Sequence, residues 1–325
     1  MSGTPNTSPS VPPMALRTYR AIRLGAVAVI AGLGFAVWRD IVNSPTNCVQ
    51  RSLSAYFYTP VRPVFVGAML IIGFAMIVLW GKTVVEDNGF NLAGLLLIVV
   101  AFVPTLDANY CSLPASVGGR VSSGNTSQIS DDKLIQANAA TVTRSFSSLL
   151  VVLWLLLIFI AIAAAVTYWH SSQRPHQRQG VVADLITWGL ALVATVIYSL
   201  LYLNADDPHS AFNHSVHGWS ANIAVVLVIV VVASAGWRKR RESSENAVER
   251  KWARLYGGVA VMMMVAIAVF KGGEWSGMFD GWLADHVTFL LEATLITLIG
   301  VFWTLQTIDR RNEGAPPRGT VPPLL

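Results

Sequence analysis

Apolar residues in this chain come in long unbroken runs instead of alternating with polar ones. Eight runs approach a membrane-crossing length: about 21–38, 61–80, 90–104, 146–168, 181–203, 218–237, 253–270 and 287–307. A helix needs about 20 apolar residues to cross the hydrocarbon core, and one that is apolar on every side has no water-facing surface to present. The pattern predicts an all-α protein, a polytopic transmembrane helix bundle of about eight spans. The third run is the shortest; Asn88-Gly89 reads as the end of a tight turn, Gly81 to Gly89, that joins it to the second. A span this short reaches only partway unless it tilts little. Residues 106–142 read as a long polar loop. Residues 1–16 and 312–325, rich in Pro, Gly and small polar residues, are expected as disordered tails around one transmembrane domain, 17–311. The first run is long enough to be kept as a signal anchor.

Composition strengthens this reading. Hydrophobic residues make up 54% of the chain and charged residues 13%, about half the charge of a soluble domain. The net charge of +5 is that of loops beside anionic lipid. The aromatics lie inside apolar runs and form no basic stacking surface, which argues against a nucleic-acid partner. Membrane lipids and other membrane proteins are the expected partners.

The basic residues orient the bundle. With the amino terminus inside, the cytoplasmic segments hold Arg17, Arg20, Arg23, Lys82, Arg174, Arg178, Arg238 to Arg241, Arg250, Lys251, Arg254, Arg310, Arg311 and Arg318. The other side holds only Arg39, Arg51, Arg62, Arg120, Lys133, Arg144 and Lys271. Lysine and arginine gather on the cytoplasmic side of membrane proteins, so both termini are expected there. Cys48 and Cys111 then both lie outside, where a disulfide is permitted. The second and third spans are joined by a short inner turn, so the outer loops carrying the two cysteines should meet.

Polar chemistry concentrates on the same outer side. Between Arg51 and Arg62 the chain reads RSLSAYFYTPVR. Ser52, Ser54, Tyr56, Tyr58 and Arg62 there are more polar groups than a membrane-interface belt requires. They are candidates for a lined pocket, with Asn222 of the sixth span as another inward residue. Glu292 lies about two turns into the last span, and an ionisable group inside a span is a functional candidate by default. Arg62 is its expected partner, and Asp285 and Thr288 share its helix face. His214, His217 and His286 lie outside, with Asp107 and other acids nearby. Neutral imidazoles with a carboxylate can hold zinc, although no tight zinc spacing such as HExxH occurs. Interface histidines pairing with loop acids are the favoured account of them.

The stretch from Ser52 to Gly67, SLSAYFYTPVRPVFVG, resembles a signature of uncharacterised multi-pass membrane proteins common in bacteria. In that pattern, as here, an acidic pair (Glu86-Asp87) precedes Asn91-Leu92-Ala93-Gly94, and Pro104-Thr105 closes the third span. His214 or His217 matches a histidine before a late span, and Glu292 matches an acid in the last one. The resemblance implies a location in the bacterial plasma membrane and carries no function. A more distant similarity is to the seven-span ceramidase and progestin-receptor-like superfamily, which uses Ser, Asp and three His around zinc. It implies Ser52 or Ser54, Asp107, His214, His217 and His286 in those parts; the last-span histidine pair of that pattern is absent here.

Three functions follow as expectations. The first is a structural or accessory membrane protein with an outward-facing pocket for lipid or solute. The second is a metal-assisted hydrolase of a lipid amide or ester, with Asp107 or Glu292 moving the proton. The third is a proton-coupled transporter of small solutes that uses Glu292.

Overall fold

Every apolar run becomes a helix, and most helices overrun it. The structure, a computed structural model, describes residues 13–44, 47–79, 81–105, 111, 142–155, 157–159, 161–162, 165, 178–203, 211–242 and 247–310. The helices are α1 (Pro13–Asn43), α2 (Arg62–Val78), α3 (Val84–Phe102), α4 (Val142–Phe159), α5 (Arg178–Tyr202), α6 (Ala211–Glu242), α7 (Ala247–Trp275) and α8 (Gly281–Asp309). Six of them contain stretches long and apolar enough to cross a membrane: α1, α3, α4, α6, α7 and α8. The apolar stretches of α2, Arg62–Val78, and of α5, Trp188–Tyr202, are shorter. No strand occurs among the described residues.

α1, α3, α6, α7 and α8 each start six or more residues before the apolar run they contain, and the first two starts change a reading. α1 begins at Pro13, inside the segment read as a tail; proline suits a first helical turn, where its missing N–H has no partner to lose. α3 begins at Val84, so the residues before Gly89 belong to the helix and not to a turn. Thr83 is the N-cap. Its Oγ1 accepts the Glu86 N–H at 3.1 Å, and Glu86 and Asp87 place negative charge in the first turn, where the helix dipole favours it. The 19 residues of α3 therefore reach a membrane-crossing length that the apolar run alone did not.

α1, α2, α3, α6, α7 and α8 form a closed circuit in which each packs against the next and α8 returns to α1. Small residues set the tightest crossings. A Cβ at Gly94 would stand 2.4 Å from the Gly73 carbonyl oxygen, and one at Gly236 would stand 2.9 Å from the Gly257 nitrogen. Such close backbone approach supplies the packing that lipid cannot, because lipid is as apolar as the helices. Trp303, Phe302 and Tyr256 are fully buried in the core, with the Tyr256 and Phe302 rings edge-on at 5.4 Å. α4 and α5 lie outside the circuit, where Phe146 and Tyr198 build a second cluster against Val99, Val103 and Val216. Large apolar side chains such as Phe35, Phe74, Phe159 and Val265 point outward, as contact with membrane lipid requires.

The bundle has two polar poles. At one, α1 ends, α8 begins and Cys48 and Cys111 are joined in a disulfide with Cα atoms 5.6 Å apart. At the other, Glu86 accepts from Arg238 Nε at 2.9 Å and faces Arg310 at 3.5 Å. Lys239 there bridges Glu249 at 2.7 Å and Asp309 at 3.1 Å, and the Tyr256 hydroxyl donates to Asp309 at 2.8 Å. Among the described residues, three acids meet three bases in this cluster. Along α8, Glu292 to Asp309 is seventeen steps, about 26 Å at 1.5 Å per residue. That separation is close to the ~30 Å of a hydrocarbon core.

Candidate functional site

The segment between α1 and α2 determines the disulfide pole. Residues Ser54–Tyr58 form a 3-10 turn that is buried almost throughout. A short turn leaves its first N–H groups without intrahelical acceptors, and this one satisfies them with side chains. Ser52 Oγ accepts the Ala55 N–H at 3.1 Å and sits 3.1 Å from Ser54 Oγ. Glu292 Oε2 accepts the Leu53 N–H at 2.7 Å. At the other end, Thr59 Oγ1 donates to the Tyr56 carbonyl at 3.0 Å and accepts the Val61 N–H at 3.1 Å, which leads the chain into α2.

Glu292 is thus paired, but with backbone and not with Arg62. Arg62 lies over the Phe57 ring at 4.0 Å and donates to Ser145 Oγ at 3.3 Å. The expected ion pair fails because Arg62 opens α2 on the exposed side, whereas Glu292 faces inward from α8. α8 starts at Gly281, eleven residues before Glu292, so Glu292 stands about 16 Å along the helix from its start. Asp285 is near the surface, 3.7 Å from Arg51.

Below Glu292 the circuit encloses a cavity of about 90 Å³, room for several waters or a segment of alkyl chain. Leu53, Ser54 and Glu292 form one end; the remaining lining is apolar and comes from α1, α2, α3, α6 and α8. On α2 the lining runs from Phe65 to Met76, about 16 Å of helix, so the space is elongated along the bundle. Glu292 keeps partial accessibility because it borders this internal space.

The other expected pocket residues take separate places. Ser52 serves the turn. Tyr56 is fully buried, its ring 6.1 Å from Phe289 and its hydroxyl oxygen accepting the Gln50 N–H at 3.4 Å. Burial pushes its phenol up to about 12. Tyr58 packs edge-on against Phe57 at 5.3 Å. Asn222 is exposed, while its neighbours Ala221 and Ala224 line the cavity; one position of helical rotation turns it outward. Of the six, only Ser54 borders the cavity.

The expected zinc set does not assemble among the described residues. His286 is buried with Nδ1 2.7 Å from the Trp282 carbonyl oxygen and Nε2 3.1 Å from that of Val49. Both ring nitrogens face acceptors, which leaves no lone pair aimed at a metal. His217 Nδ1 lies 2.7 Å from the Val103 carbonyl oxygen, tying α6 to the end of α3. No group of three or more metal-binding side chains occurs among the described residues. Asp107 and the His214 side chain lie outside them.

Sequence reasoning missed that Glu292 caps a turn 239 residues away. The signal present was Ser-x-Ser beside a lone in-span acid. It also missed the ion-pair cluster at the opposite pole, where sequence alone makes Arg238 and Lys239 topology determinants and anionic-lipid contacts. No family model, curated protein or solved structure matches this chain. What the fold defines is a multi-pass α-helical membrane protein.

Proposed function

We propose that this is an eight-span protein of the bacterial plasma membrane, with both ends of the bundle cytoplasmic, that holds an apolar or amphipathic guest in its internal cavity. The observation that carries this reading is the elongated apolar space between the helices, one end of which bears the Glu292 carboxyl. Interiors of helix bundles normally close to near-solid packing, so a space crossing five helices has a use. The orientation rests on charge. The pole of Glu86 also carries Arg17, Arg20, Arg23, Lys82, Arg240, Arg241, Arg250, Lys251 and Arg254, against Arg39, Arg51, Arg62, Arg144 and Lys271 at the disulfide pole, and lysine and arginine favour the cytoplasmic side. The cavity end nearest the disulfide pole then faces outward. A hydrolase gains no support from His217 and His286, which are engaged with carbonyl oxygens.

The test is native mass spectrometry of the full chain released from native membrane, beside Ala224→Phe, which fills the cavity from α6. A lipid or small amphiphile retained by the wild type and lost in the variant is the expected result. Identical spectra, free of any bound mass, would overturn the guest. For orientation, maleimide should label Glu274→Cys in intact cells and Arg240→Cys only after permeabilisation; the reverse order rejects the sidedness.

A further inference from the structure

Resting on that cavity reading, we infer that the guest is a single-chain cationic amphiphile, its protonated amine hydrogen-bonded to Glu292 and its alkyl chain lying along the apolar space. Among the described residues, Glu292 is the one ionisable side chain that lines the cavity. A carboxylate has two oxygens with about four acceptor positions. The Leu53 N–H occupies part of that capacity from the side of the 3-10 turn, and the carboxyl borders the cavity. That donor fixes the carboxyl's orientation and supplies no counter-charge. Arg51 pairs with Asp285, Lys271 with Glu274, and Arg62 lies on Phe57 and Ser145; of these, Lys271 acts on Glu292 through space and without an ion-pair contact.

A charge placed in apolar surroundings is costly unless paired and hydrogen-bonded. A backbone-held carboxyl at the end of an apolar channel is ionised at least cost when a cation pairs with it, so the site selects a head that carries positive charge and N–H donors. The opposite ligand, a fatty carboxylate, would set two like charges against each other there. An alcohol would supply one neutral donor. The shape fits one chain in preference to two, because the space is long and about 90 Å³ in volume.

The experiment measures binding of n-hexylamine, n-hexanol and hexanoate to the full chain in nanodiscs by ligand-observed NMR. Wild type, Glu292→Gln and Ala224→Phe are compared. The wild type should bind the amine about tenfold more tightly than the alcohol, the margin of a charge-assisted over a neutral hydrogen bond, and should bind hexanoate least. Glu292→Gln keeps an amide oxygen for the Leu53 N–H, so the turn stays capped, and the amine should fall to the affinity of the alcohol. Ala224→Phe keeps Glu292 and should lose both. Equal binding of amine and alcohol by the wild type, or an amine preference that survives Glu292→Gln, overturns the cationic head and leaves the cavity reading standing. No cavity-dependent binding of any probe overturns both.

Discussion

Replacing Glu86 by Gln removes one charge from the ion-pair cluster where α3, α6 and α8 meet. Glu86 is 2% exposed. Its Oε1 holds Arg238 Nε at 2.9 Å, and its Oε2 faces Arg310 at 3.5 Å and accepts the Lys82 N–H at 3.0 Å. Glutamine can keep the Lys82 bond with its amide oxygen. It cannot compensate two guanidinium groups, of which Arg310 is 3% exposed. Removing one partner of a buried ion pair costs about 3–5 kcal/mol, because the other charge stays buried and unpaired. The lower end applies here, since Asp309 and Glu249 belong to the same cluster and the pole borders water. A loss of about 3 kcal/mol corresponds to a drop of roughly 6 °C in Tm for a chain of this size. The assay is thermal unfolding in mild detergent followed by tryptophan fluorescence, with Arg238→Gln and the double variant alongside. Coupled groups give a double variant that costs less than the sum of the singles by about 0.5–3 kcal/mol. Strict additivity, or a Glu86→Gln protein as stable as wild type, would show that the cluster does not hold these helices together.

Three further outcomes follow from other contacts. Gly94→Leu should fail to assemble or should unfold well below wild type, because even its Cβ meets the Gly73 carbonyl at 2.4 Å; normal yield and Tm would refute the α2–α3 crossing. The Tyr56 phenol, raised to about 12 by burial, contributes stability that is complete below its unfolded value of about 10 and is lost as pH rises toward 12. A difference titration of wild type against Tyr56→Phe should therefore show one phenol ionising near 12, and ionisation near 10 in folded protein contradicts its burial. Cys48 and Cys111 should resist maleimide until reduced. Removing both should cost less than the about 4 kcal/mol of a free chain with a 63-residue separation, since α2 and α3 inside a membrane already restrict that loop; labelling before reduction rejects the bridge.

The all-helical, membrane-spanning class was legible in the chain alone, because apolar runs of span length leave the backbone no hydrogen-bonding solution in lipid except helix. Helix positions followed for the same reason. Their ends did not, since those depend on local capping such as Thr83 with Glu86. Glu292 could be singled out, because charge inside an apolar run is costly wherever the helix packs. Its partner could not: Arg62 lies near enough along the axis, yet only the rotation of α2 and α8 decides that Arg62 faces Phe57 and Glu292 faces Leu53. Rotation likewise turned Asn222 outward and put Ser54 alone among the expected pocket residues on the cavity wall. Hydropathy along a fully apolar helix carries little angular information, so which face meets a neighbour is decided by packing. Close approaches such as Gly73 on Gly94 determine those rotations, and they exist only once the helices have met.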